Sequence, residues 1–159
     1  MGITQSTSNN KTKEIIKQIE ELTERRINNI LFDSYKDNWN KNTSVFGERI
    51  MNKEYIIIII EDSDGNKFGG YVNSKIDKNQ MEEMKKFDIK EPEKAFYLYH
   101  RADNYLFAFG SGADIIVYKE NIKTKSFCKQ SSFSYKGISN ALCGKYYFKP
   151  KHFIVIEMK

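Results

Sequence analysis

The residues whose types and spacing invite chemistry sit in a few short stretches. Asp62, Asp64 and Asn66 fill positions one, three and five of a would-be calcium loop. Its sixth position, however, is Lys67 where glycine is needed, and its twelfth is Asn73 where a glutamate is needed. Asp64-Gly65 therefore reads as a hairpin turn with glycine at positive φ. Gly110-Ser111-Gly112 has the look of a phosphate cradle, which requires a helix to start after the glycines. Ile115-Ile116-Val117-Tyr118 follows instead, so a reversal between strands is expected, with the Asp114 carboxylate turned back onto backbone N–H groups. His100, His152, Cys128 and Cys143 offer nitrogen and sulfur, yet no spacing among them matches a metal-ligand or nucleophile pattern. His100 closes an aromatic strand and His152 falls in a loop after Lys149-Pro150-Lys151. No catalytic residue, metal site or cofactor is expected.

Two further stretches bear on partners. Residues 1–10 are small and polar, and they fit M-G-x-x-x-[ST] with Ser6 in place, which makes Gly2 a candidate for myristoylation. One such chain binds membranes only marginally, on the order of 10⁴ M⁻¹, so Lys11, Lys13 and Lys17 would have to assist. Residues 94–159 hold 11 Lys and Arg against 4 Asp and Glu, a surplus of +7, while residues 1–93 stand at −2. A basic half with Phe127, Phe133, Tyr135, Tyr146, Tyr147 and Phe148 among its lysines suits a nucleic-acid sheet. No glycine–aromatic RNA-binding motif accompanies them, and the filling of a β-core explains the rings at less cost. The lysine, asparagine, isoleucine, tyrosine and phenylalanine bias also follows from AT-rich coding.

These side chains need a scaffold, and its centre is residues 55–72. Five isoleucines, Ile56 to Ile60, are apolar on both alternating faces and read as a strand buried on both sides. Lys67 to Val72 returns beside it, and Gly69-Gly70 marks a bulge or a close backbone approach. Ahead of this hairpin, Ile15, Ile16, Ile19, Leu22, Ile27 and Ile30 recur at helical spacing. That pattern predicts an amphipathic helix over 11–31, counted to 29 before the main domain, which packs on the β-core or pairs with a partner. A short helix over 43–51 is expected, with Thr43 or Ser44 as N-cap and Val45, Phe46 and Ile50 inward. A charged helical excursion is expected over 75–86. Short strands at 96–100, 105–109, 115–118, 146–148 and 153–158 bring the total to about seven. The fold class is α+β, mostly β: a two-layer antiparallel sandwich with an N-terminal amphipathic helix and short flanking helices. No apolar run reaches the ~18–20 residues that cross a bilayer, and two cysteines do not make a disulfide scaffold, so a reduced, cytoplasmic protein is expected.

The order of these pieces resembles the TLDc domain of oxidation-resistance proteins, related to the TBC/LysM-associated domain. Leu31-Phe32 precedes Tyr35-Lys36-Asp37-Asn38-Trp39, which keeps the family's aspartate and aromatic, with Lys36 for its arginine and Asn38 for its glycine. Phe68-Gly69-Gly70-Tyr71 matches as it stands. Phe96 to Tyr99 resembles the aromatic strand, Phe109-Gly110-Ser111-Gly112-Ala113-Asp114 the glycine turn, and Phe153 to Glu157 the closing glutamate. The chain departs from the pattern at Met158-Lys159 and at residues 75–90, which look like an insertion. The resemblance covers residues 30–158 and implies a helix-flanked sandwich without an agreed active site. It further implies a protein-binding, regulatory role linked to oxidative-stress protection or to subunits of the vacuolar proton pump; acylation at Gly2 would separately add a peripheral membrane position. The alternatives are a redox enzyme that handles peroxide through Cys128 or Cys143, and a nucleic-acid binder that uses the basic half.

Overall fold

The computed structural model describes residues 3–77, 96–110, 113–129 and 142–159, with side chains of the first helix described from residue 13. The chain runs through α1 (Ile3–Thr23), β1 (Ile27–Asp33), α2 (Phe46–Ile50), β2 (Ile56–Asp62) and β3 (Lys67–Val72). It continues through β4 (Phe96–Leu98), β5 (Tyr105–Phe109), β6 (Ile115–Tyr118), β7 (Ser126–Cys128), β8 (Tyr147–Phe148) and β9 (Pro150–Met158). All pairings are antiparallel, in one sheet of order β1-β9-β2-β3 and a second of order β4-β5-β6-β7-β8. The protein is thus the expected α+β, mostly β, two-layer sandwich.

The isoleucine strand lies inside the first sheet, between β9 and β3. Its alternation sends Ile56, Ile58 and Ile60 into the space between the sheets, where all are buried. There they join Phe32, Phe46, Phe107, Phe148 and Phe153, each fully buried. Removing such a ring from water stabilises the fold by ~1.5–3 kcal/mol. Ile57 and Ile59 point the other way and are half covered, with Ile154 and the buried Ile156 beside them, in a cluster with Ile15 and Ile19 of α1. Both faces of the strand are therefore covered, by unlike partners. The β2–β3 register passes through Ile58–Gly70 and Ile59–Gly69 without a shift, so the paired glycines mark a close approach and not a bulge. Gly65 turns the hairpin at φ +85°.

Several expectations are corrected. Residues 3–10 are the first turns of α1 rather than a flexible leader, since a helix already nucleated downstream gains a hydrogen bond for each residue it adds. The helix stops at Thr23, not at 29 or 31: Glu24 takes φ +54° and residues 27–31 form an edge strand of the first sheet. Asn28 and Asn29 are poor helix formers, and the strand offers Ile27 and Phe32 a sheet position. As a result Leu22 and Ile30 of the expected apolar stripe are exposed. The short helix begins at Phe46 after Val45. Ser44 still serves its start, because its Oγ accepts the Phe46 N–H at 3.2 Å. His152 lies within β9 and not in a loop, and β1 and β7 raise the described strands to nine. The helical excursion over 75–86 lies almost wholly outside the described residues, as do Gly2, Gly112, Phe133 and Tyr135.

Candidate functional site

Where β1 ends, two aspartates fold the chain back on itself. The Asp37 carboxylate accepts the Asp33 backbone N–H at 2.9 Å, and the Asp33 carboxylate accepts the Tyr35 N–H at 3.0 Å. Burial works against a charge on Asp33, but His152 at 2.8 Å, the Tyr35 N–H and Lys36 at 3.3 Å outweigh it, and its pKa is lowered. The Tyr35 ring stacks on the His152 ring at 4.0 Å and 4°, so strand β9 fixes this turn from below. Arg49 of α2 reaches Asp37 at 3.4 Å. Trp39 then dives into the core, edge-on to Phe153 at 5.0 Å, and its carbonyl accepts the Glu120 N–H at 3.4 Å. That last bond joins the turn to the loop between β6 and β7.

Lys119 starts that loop. It is 2% exposed, and its ammonium donates to the carbonyls of His100 (2.9 Å), Asp103 (2.5 Å) and Tyr105 (2.8 Å). The acceptors are neutral, so burial of the charge pulls the ammonium down to about 8, against a smaller opposing pull from Asp103. Between the turn at 34–39, the loop at 119–125 and the start of β9 opens a groove of about 820 Å³. Trp39, Phe148 and Pro150 line its floor, with Lys123, Lys125, Lys149 and Lys151 on its walls.

The other residues singled out from the sequence divide between packing and edges. Phe68 meets Phe148 edge-on at 5.0 Å, and Phe109 packs on Phe96 at 5.1 Å. A Cβ on Gly69 would fall 1.8 Å from the Ile58 carbonyl oxygen, and one on Gly70 would fall 2.5 Å from the Phe109 ring. Gly110 turns at φ +83°, and Asp114 is fully buried. Glu157 pairs with Ile56 at the end of β9, in parity with the inward-facing Phe153 and Val155, and there Lys53 at 3.0 Å, then Asn29 and Asn28, hold its pKa below the ordinary value against the pull of burial. Of the described motif positions Trp39 lines the groove, and Lys36 and Asp37 belong to the turn beside it.

Asp62 serves as the brace of the hairpin. Its carboxylate accepts the N–H groups of Asp64 and Asn66 and the Asn66 side-chain amide, each at 2.9 Å. The histidines are far apart in role, since His100 Nδ1 accepts the Ala102 N–H on an exposed turn while His152 is held by Asp33. Cys128 and Cys143 are both buried beside one another, and burial together with the neighbouring thiol pushes the Cys128 thiol well above its ordinary range. A peroxide-reactive thiol needs the opposite shift and exposure. Among the described residues no group of three or more His, Cys, Asp and Glu could hold a metal ion, and no helix is long and apolar enough to cross a membrane.

Sequence reasoning missed Lys119 and the groove it borders. The signal was present in the alternation: Ile115 and Val117 face inward from β6, and Lys119 continues their parity. A lysine after a strand is ordinarily solvated, which hid it. No family model matches the chain, and a search of curated proteins finds no match.

Proposed function

We propose that the chain is a TLDc-like binding and regulatory module that acts by contact with a protein partner and not by catalysis. The observation that supports this most is the meeting of separated motif pieces. Gly70 of the Phe-Gly-Gly-Tyr stretch abuts Phe109 of the glycine turn across the two sheets. The Lys36-Asp37-Trp39 stretch is braced by Arg49 and Phe153 and leaves the Lys36 side chain largely in solvent. A rigid turn that carries an exposed cation on a sandwich end is a contact surface. Vacuolar proton-pump subunits are the partner suggested by resemblance, with protection from oxidative stress as the wider role, at a membrane surface if Gly2 is acylated.

The test is co-sedimentation of the purified chain with membranes that carry the pump, followed by identification of the crosslinked subunits. Retention that falls on Lys36→Glu, in a variant whose melting is unchanged, supports the reading. Equal retention on pump-free membranes overturns it.

A further inference from the structure

We propose that the groove between the 34–39 turn and the 119–125 loop binds a small, multiply phosphorylated anion of headgroup size, with Lys123, Lys125 and Lys149 supplying the charge. This inference does not rest on the TLDc-like reading.

Several lysines, most of them outside the groove, already hold a carboxylate. Lys36 has found Asp33, Lys67 and Lys151 have both found Glu61, and Lys145 has found Asp64. Lys123, Lys125 and Lys149 are exposed and have no carboxylate partner among the described residues, yet all three line one cavity. Among the lining residues Glu120 is the only acid, and Lys151 brings a fourth ammonium already shared with Glu61. The buried Lys119 also borders the groove, and its ammonium meets backbone carbonyls and no carboxylate oxygen within hydrogen-bond reach. Clustered like charges repel, and an anion between them removes that repulsion.

Shape and chemistry narrow the class. A groove of about 820 Å³ falls in the range of small-ligand sites. Its floor of Trp39, Phe148 and Pro150 keeps water from one side of the ion pairs, which strengthens them. Ammonium groups act as point charges with three donors each, which suits the tetrahedral oxygens of phosphate. Ser34 adds a hydroxyl whose oxygen already accepts the Phe153 N–H at 2.9 Å, so its own O–H is left to donate. One phosphate would satisfy one or two of these groups, and several on one ring would satisfy them all. The same chemistry comes as a soluble inositol polyphosphate or as a phosphoinositide headgroup.

Isothermal titration with inositol hexakisphosphate at low ionic strength tests the site. We expect saturable binding that weakens by about tenfold or more in the triple variant Lys123→Gln, Lys125→Gln, Lys149→Gln. The control triple variant Lys13→Gln, Lys17→Gln, Lys75→Gln should bind like the unaltered chain. Acetylation of the unaltered protein by an amine reagent gives a readout free of folding effects, since the anion should shield Lys123, Lys125 and Lys149 over other exposed lysines. No saturable binding, equal loss in the control, or shielding spread evenly over the surface overturns the proposal. Phosphatidylcholine vesicles with and without a bisphosphorylated phosphoinositide then separate the sources. Sedimentation that needs the groove lysines assigns the headgroup, and hexakisphosphate binding without sedimentation assigns the free anion.

Discussion

Gly70 and Phe109 lie on facing sheets, and the missing side chain of one makes room for the ring of the other: a Cβ on Gly70 would stand 2.5 Å from Phe109 Cε1. The atom in the way belongs to a ring held by Phe96 and Phe107, so it cannot swing aside. Gly70→Ala should therefore cost about 1–3 kcal/mol of stability in urea unfolding. Phe109→Leu alone also destabilises, by loss of packing. Combined, the two should cost less than their sum, because the smaller side chain admits the methyl group. Strict additivity would show that the two residues do not press on one another.

Lys119→Met keeps the volume and removes the donor to the carbonyls of His100, Asp103 and Tyr105. Loss of the three charge-assisted bonds of this buried side chain, with the His100 carbonyl still holding the Asp103 N–H, should lower stability by about 2 kcal/mol or more, read from urea unfolding at pH 7. The pH dependence has a definite sign. The folded ammonium titrates at about 8 and the unfolded one at 10.5, so between these values the unfolded chain binds more protons. The unaltered protein should gain stability from this group as pH rises through that window, and the methionine variant should lack that gain.

Acid should act through Glu61, whose carboxylate is drawn down to about 2 by Lys67 at 2.6 Å and then Lys151 at 3.0 Å. Its contribution is complete above the ordinary value of 4.5 and disappears as pH falls towards 2. Unfolding curves from pH 6 to pH 2 should therefore lose less stability in Lys67→Gln, Lys151→Gln than in the unaltered chain. The difference should shrink in high salt, since these side chains are near the surface.

Cys128 and Cys143 should resist alkylation while the protein is folded, as both are buried and burial raises the Cys128 thiol. Mass spectrometry after brief iodoacetamide treatment at pH 8 should find native protein unmodified and urea-unfolded protein doubly labelled. Rapid labelling of the native chain would revive the redox-enzyme reading.

How much of this was legible in advance depended on whether a residue's neighbours in sequence were also its neighbours in space. Ile56 to Ile60, Asp64-Gly65 and the short aromatic strands follow local patterns, and the sandwich followed from them. The end of α1 did not, because Ile27 to Leu31 keep apolar spacing compatible with either a helix or a strand. Pairing with β9, more than a hundred residues away, decides for the strand. The groove was hidden for the same reason. Tyr35 and Trp39, Lys123 and Lys125, and Lys149 come from separate stretches of chain, and only the sheet order brings them to one place. Lys119 was legible in principle, through its parity with Ile115 and Val117, but charge masked the pattern.

The place of β9 sets the timetable for biosynthesis. Because it lies between β1 and β2, the first sheet cannot close while residues 150–158 are still inside the ribosome. Until then the isoleucine ribbon has one open hydrogen-bonding edge and two greasy faces, a template for the wrong neighbour on a crowded polysome. A chain cut short before residue 150 would leave that ribbon permanently without the strand that separates it from β1.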